Sequence, residues 1–310
     1  MRKHILALAA CCGLAYGQAV ALVPLIHKAA MAGDFAAAQK ALDVYRKATG
    51  VTPEYVEAYS WMGRGRLNAK QLDAAQANAV EIRALSDALL KTRKLDAEPH
   101  LPIALGAAIE VQAQALGQLN RRDEAVLFLR DELKRWQGTS IIMRLQKNVN
   151  LLTLEGKPVP EIVATVGIGK TKPMPLSAHK GHPILIFMWA HWCGDCKAEV
   201  GIIEKLMAAY GPRGLVVVAP TQHYGYVAGG EDAKPEAETK YINEVFAAYY
   251  APLRNLEAPL SEANFTRFGV STTPTLLLVD ANGIVRLYNP GAMTYEALAG
   301  RIEPLLRQTM

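Results

Sequence analysis

Apolar positions in this 310-residue chain change rhythm once, near residue 155. Up to about Asn150 the sequence is rich in Ala, Leu, Gln and charged residues, with few β-branched runs, and reads as helices. Beyond that point short, near-continuous apolar runs alternate with helical stretches. Ile184–Trp189, Leu215–Ala219 and Thr275–Val279 suit strands covered on both faces. Asp280-Ala-Asn-Gly283 is a turn signal leading into Ile284–Tyr288, so the last two strands are expected to pair as a hairpin. Cys193–Tyr210 and Thr294–Leu306 carry helical spacing, and the long excursion Thr221–Ala258 contains a helix around Tyr241–Tyr250. Leu154-Glu-Gly-Lys-Pro-Val-Pro160 marks the junction. The pattern predicts an all-α unit over residues 18–150 and an α/β unit over 155–310, the latter a mixed sheet with helices on both faces.

The helical half contains a weak echo. Gly33-Asp-Phe-Ala-Ala-Ala38 is followed by Leu42, Lys70-Gln-Leu-Asp-Ala-Ala75 by Ala79, and Asn120-Arg-Arg-Asp-Glu-Ala125 by Leu129. A small Ala with an apolar residue four later resembles the second helix of a tetratricopeptide-type hairpin, although the steps of 37 and 50 residues are unequal. An ordinary helical bundle is the alternative. This half holds no nucleophile, metal cluster or glycine-rich loop, so its expected role is packing or contact with a partner protein.

Residues 1–17 read as a secretory signal peptide. Arg2, Lys3 and His4 precede the uncharged stretch Ile5–Ala15, and Ala15-Tyr16-Gly17 offers small residues before a cut at Gln18. Leu8-Ala9-Ala10-Cys11 also resembles a lipoprotein signal, and uncharged Ile5–Ile26 is long enough to remain as an anchor. All three place the body of the protein outside the cytoplasm, periplasmic or secreted, where disulfide chemistry is needed. The formal charge is +5, from 34 basic and 29 acidic residues, without a long basic run. Arg64–Arg66 and Arg121-Arg122 are isolated and are expected on solvated helix faces, which argues against nucleic-acid binding.

Of four cysteines, two lie in the leader and two form Cys193-Gly-Asp-Cys196. The pair sits where a predicted strand ends and a helix begins. Residues three apart share a helix face, so their sulfurs can bridge. Cys193, at the helix N-terminus, meets unpaired N–H groups and the positive end of the macrodipole, which favour the attacking thiolate. Cys196, a turn inside and less exposed, is the resolving cysteine. Zinc would need further ligands, whereas only scattered histidines are available. Haem attachment would need His directly after Cys196, where Lys197 stands.

Trp192-Cys-Gly-Asp-Cys196 after an apolar strand, together with Gly269-Val-Ser-Thr-Thr-Pro274-Thr-Leu-Leu-Leu-Val-Asp-Ala-Asn-Gly283, resembles the thioredoxin superfamily. Lys157-Pro-Val-Pro160 and Glu199, three residues past Cys196, are similar to the extracytoplasmic TlpA/ResA-like disulfide reductases within it. The resemblance covers residues 155–310 and implies a thioredoxin-like fold with a cis Thr273–Pro274 bond facing the disulfide. It also implies an enzyme that exchanges disulfides with cysteine-containing client proteins and is recharged by a membrane or soluble thiol donor. The cysteine pair carries two electrons itself, so no organic cofactor or metal is required. Trp192, Gly194, Asp195, Thr273 and Pro274 are the expected substrate-binding residues, and Cys193, Cys196 and Glu199 the expected catalytic ones. Thioredoxin keeps a buried carboxylate six residues before its first cysteine; that position is Phe187 here. Glu199, on the face that carries both cysteines, is the replacement proton acceptor. The resembling family usually has proline two residues beyond this Glu, where this chain has Gly201. Asp195 disfavours the thiolate and a protonated His191 would favour it; with the histidine mostly neutral, a reductant is expected. A disulfide oxidase or isomerase on the same site, and a scaffold that docks partners without turnover, are the alternatives.

Overall fold

The structure is a computed structural model that describes residues 21–253 and 255–307. The leader expected over residues 1–17 lies outside the described residues. Seven helices come first: α1 (Leu22–Met31), α2 (Phe35–Thr49), α3 (Pro53–Asn68), α4 (Leu72–Leu90), α5 (Leu101–Gln118), α6 (Arg122–Arg135) and α7 (Ile142–Thr153). They fold as consecutive hairpins in which α1, α3 and α5 lie side by side and α7 follows against α5.

The sequence echo has a physical origin in the turns. Gly33, Lys70 and Asn120 each stand two residues before a second helix, with φ of +78°, +61° and +61°. In each turn the next residue donates its N–H five residues back: Asp34 to Ala29, Gln71 to Arg66 and Arg121 to Leu116, all at 2.9 Å. This is a Schellman closure used three times. Five residues after each turn a small alanine, Ala38, Ala75 or Ala125, is fully buried. The repeat is therefore one of helical hairpins; a tetratricopeptide label goes beyond that geometry. The longer second step comes from the connection at residues 91–100, which includes a short turn of 3-10 helix at Leu95–Ala97, and from the greater length of α4 and α5.

The second half holds a four-stranded sheet in the order β2-β1-β3-β4. β1 (Ile184–Met188) pairs parallel with β2 (Val216–Val218) and antiparallel with β3 (Thr275–Val279), which pairs antiparallel with β4 (Val285–Pro290). Alternate residues of β1 face opposite ways. Leu185 and Phe187 pack with α8 (Gly194–Tyr210), α9 (Pro235–Tyr249) and α11 (Tyr295–Leu306). Ile184, Ile186 and Met188 pack with Phe265 and Phe268 of α10 (Glu262–Phe268). The expected mixed sheet with helices on both faces is what forms. Helix α9 begins six residues before the expected Tyr241, because Pro235 enters a first turn with Glu236 and Glu238, residues that suit a helix N-terminus. Helix α10 was not expected: its seven residues are too few for a periodic signal to stand out.

The halves meet where α7 lies against α10 and β4. Gly269 caps α10 in the left-handed region, φ +61°, and a Cβ there would come within 2.3 Å of the Lys147 backbone nitrogen. Gly269→Ala combines a left-handed penalty with an overpacked contact and should cost about 2–4 kcal/mol. Thermal unfolding followed by circular dichroism should show the melting temperature falling by several degrees. An unchanged melt would mean that α7 does not dock this way.

Candidate active site

The end of β1 is tied to the end of β2 before the chain turns into α8. Trp189 donates its backbone N–H to the Pro220 carbonyl (3.1 Å) and its indole N–H to the Ala219 carbonyl (2.9 Å). Thr221 Oγ1 donates to the Trp189 carbonyl (2.9 Å). This clamp fixes the platform from which the cysteine turn springs. Cys193 then donates its N–H to the Ala190 carbonyl and occupies the N-cap of α8 with φ −74° and ψ 112°.

The cap is the sulfur itself: Cys193 Sγ accepts the Cys196 backbone N–H at 3.0 Å. The place that Ser or Asp usually takes at a helix start is held by a group that can ionise. Cys193 and Cys196 form a disulfide, with Cα atoms 5.3 Å apart. Cys196 is fully buried. Cys193 is only 3% exposed, more covered than its place at a helix mouth implies. Solvent reaches its neighbours instead: Trp192 is 49% exposed, and Gly194 and Asp195 are exposed as well.

Glu199 follows on the same helix and is 2% exposed. Its Oε1 accepts the Met293 N–H at 3.1 Å. Burial pushes this carboxyl above its ordinary value, against the Met293 hydrogen bond, and the nearby charge of Asp195 adds to the rise. α8 runs unbroken through Gly201, and Phe187 is fully buried beside Tyr250.

Pairing of Met188 with Thr275 brings the residues before β3 to the end of the sheet from which α8 starts. Thr273–Pro274 stands there as a cis peptide. Among the described residues neither the N–H nor the C=O of Thr273 has a hydrogen-bond partner, and its Oγ1 is buried without one.

The excursion between the second and third strands reaches back to this site: Tyr224 and Tyr226, which follow the end of β2 on the side where sites sit in open sheets, stand against His191. His191, two residues before Cys193, is buried and its Nε2 lies 3.2 Å from Glu238 Oε1 on α9. The same carboxylate accepts the N–H groups of Tyr224 (2.5 Å) and Gly225 (2.9 Å). Tyr224, Tyr226 and Tyr241 stand T-shaped to the imidazole, and Tyr224 is also T-shaped to Trp192. Burial lowers the pKa of His191 and outweighs the opposing pull of Glu238, so the ring is neutral near pH 7. Nothing distinguishes Glu238 from its acidic neighbours in sequence; only the fold selects it. Among the described residues no three or more His, Cys, Asp or Glu side chains converge to hold a metal ion.

The sequence model of the thioredoxin-like domain matches residues 174–305. Over those residues the chain has the thioredoxin-like fold. Within that class it is similar to the thiol:disulfide interchange protein DsbE of Yersinia pestis, 27% identical over 157 residues, which are 50% of this chain and 74% of that protein. It is also similar to the thiol-disulfide oxidoreductase ResA of Geobacillus thermodenitrificans, 25% identical over 130 residues, 42% of this chain and 67% of that one. Among solved structures, a thiol:disulfide interchange protein of the thioredoxin family from Chlorobium tepidum aligns over 49% of this chain and 97% of its own, with 16% identity and a TM-score of 0.38.

Proposed function

We propose that this protein is an exported thiol–disulfide oxidoreductase that reduces disulfides in cysteine-containing client proteins. The observation that carries the reading is the N-cap sulfur of Cys193, which accepts the Cys196 N–H and is bonded to Cys196. In the reduced enzyme the Cys193 thiolate attacks a client disulfide, forms a mixed disulfide and releases one client thiolate. Glu199 takes the proton from the Cys196 thiol. The Cys196 thiolate then displaces the client's second sulfur from Cys193 Sγ, and that sulfur leaves as a thiolate that takes up a proton from Glu199 or from water. Two electrons have passed to the client and the enzyme holds its own disulfide, which a thiol donor reduces for the next cycle.

Trp192 and the ring Gly194-Asp195 offer the exposed rim on which a client would rest. The unpaired backbone of Thr273 beside cis Pro274 can pair with an extended segment as a strand does. Asp195 supplies negative charge inside the four-residue ring, while His191 is held neutral. Both features disfavour the thiolate relative to a strongly oxidising site. The leader supports export, and the helical hairpins are a candidate platform for a partner protein. Among the described residues no helix is long and apolar enough to cross a membrane.

The test is reduction of insulin by dithiothreitol. The wild-type chain should accelerate it and Cys193→Ser should fall to the uncatalysed rate. Equal acceleration by both would mean a docking scaffold. The reduction potential should lie near about −270 mV; a value near about −120 mV would make the protein an oxidant.

A further inference from the structure

The exchange mechanism leaves one buried carboxylate beside the site without a role. Glu238, in the first turn of α9, is 1% exposed. Three donors reach it from two other segments of the chain. Tyr224 and Gly225 present consecutive N–H groups to its two oxygens, and Gly225 is in the left-handed region at φ +85°. Successive N–H groups that converge on one anion form a nest, and here the anion is a side chain of the same molecule. His191 Nε2 is the third donor. A carboxylate this deep is costly to bury unless its oxygens are paired, so the carboxylate binds the three groups into one clamp.

The clamp holds the root of a ribbon. From Gly225 the chain runs out and returns: Ala233 donates its N–H to the Gly225 carbonyl (2.9 Å), Tyr226 pairs antiparallel with Asp232, and Val227 donates to the Glu231 carbonyl (2.8 Å). The tip, Ala228–Gly230, is exposed. A two-stranded ribbon this short is marginal in water by itself. Its footing is at the root, where the rings of Tyr224 and Tyr226 lie 5.5 and 5.3 Å from that of His191, and Tyr224 lies 5.5 Å from Trp192. Trp192 is the exposed rim of the site and Cys193 follows it directly, so the clamp sets where the ribbon stands relative to the cysteine turn.

We infer that Glu238 is a positioning residue for protein clients. Through His191 it fixes the ribbon at residues 225–233 against the cysteine turn, and the ribbon continues the wall of the client groove that Trp192 begins. This rests on the reading of the site as a reductase of protein disulfides, and it names the element that favours a polypeptide. A chain that extends beyond its disulfide on both sides meets the ribbon; a bare disulfide ring does not reach it. Among the described residues Glu238 bonds to neither cysteine, so its loss weakens client binding and leaves the exchange itself in place.

The test compares two substrates of the same chemistry: a peptide ring closed by one disulfide and carrying an extended flank on each side, and the same ring without flanks. Pre-reduced full chain is mixed with excess peptide, and its oxidation is followed by acid quench and thiol counting. For the wild type the flanked peptide should half-saturate at a concentration at least about tenfold below that of the bare ring. Glu238→Gln keeps the side-chain volume but sets amide hydrogens against N–H donors; the advantage of the flanks should shrink to about twofold or less, with the limiting rate on the bare ring changed by less than about twofold. A second measurement does not depend on that variant folding. In mixed disulfides trapped on Cys196→Ser, the amides of residues 225–233 should exchange hydrogen more slowly with the flanked peptide than with the bare ring. An unchanged flank advantage in Glu238→Gln, a matching loss on both peptides, or equal exchange in the two trapped complexes would overturn the assignment. A wild-type chain that reduces neither peptide would remove the reductase reading itself, and this inference with it.

Discussion

Cys196→Ser should convert the protein from a catalyst into a trap. With the resolving sulfur gone, the mixed disulfide on Cys193 has no intramolecular exit, and turnover of a protein disulfide should fall at least about a hundredfold. The structure supplies the reason: a serine hydroxyl at a fully buried position one turn inside α8 cannot replace a thiolate as nucleophile. Client proteins should run as high-mass, thiol-sensitive adducts on non-reducing gels. Mass spectrometry should place each link at Cys193. Cys193→Ser should give no such adducts. Adducts that form through Cys196 in that variant would reverse the assigned roles.

The second large effect is expected from Glu199. If its carboxylate receives the Cys196 proton, Glu199→Gln should slow resolution about a hundredfold near pH 7, the lower end of what a positioned base contributes. The deficit should shrink as pH approaches the ordinary thiol pKa of about 8.5, where Cys196 ionises unaided. Alkylation of Cys193 should be unaffected, which separates proton transfer from a structural role. A stability signature accompanies it. Because burial raises this carboxyl in the folded state, the folded chain holds a proton that the unfolded chain releases above its ordinary value of 4.5. Wild-type stability therefore declines as pH rises from 4.5 through the folded value, and the penalty is complete above it. The glutamine variant escapes that decline, so its melting temperature should exceed the wild type's at pH 7 and converge with it near pH 4. Parallel profiles for the two proteins would show that Glu199 is not the buried acid described.

Much of this site was readable because its chemistry is local. The strand-to-helix junction, the i, i+3 sulfurs and the Thr-Pro before a buried strand lie in short stretches whose spacing is itself the signal. Strands at Ile184–Met188 and Thr275–Val279 announced themselves as apolar runs because both of their faces are covered. The helical echo was legible but unexplained, since Gly33, Lys70 and Asn120 share a backbone conformation and not a residue type. What escaped notice was long-range. Glu238 lies 47 residues from the histidine it meets, and the same carboxylate accepts the Tyr224 and Gly225 N–H groups from the far end of the excursion. No window along the chain contains those relations. The near-complete cover of Cys193 likewise arises from the packed surroundings of the cysteine turn, which a helix wheel does not represent.

The central claim is that the sulfur capping α8 is the one that ionises first. Reduced protein should be alkylated with iodoacetamide across pH 5 to 10, with peptide mapping at each point. The account predicts that Cys193 reacts first, with a midpoint below the ordinary thiol value of about 8.5, while Cys196 stays protected until the chain unfolds. Faster modification of Cys196, or a Cys193 midpoint at or above 8.5, would contradict it.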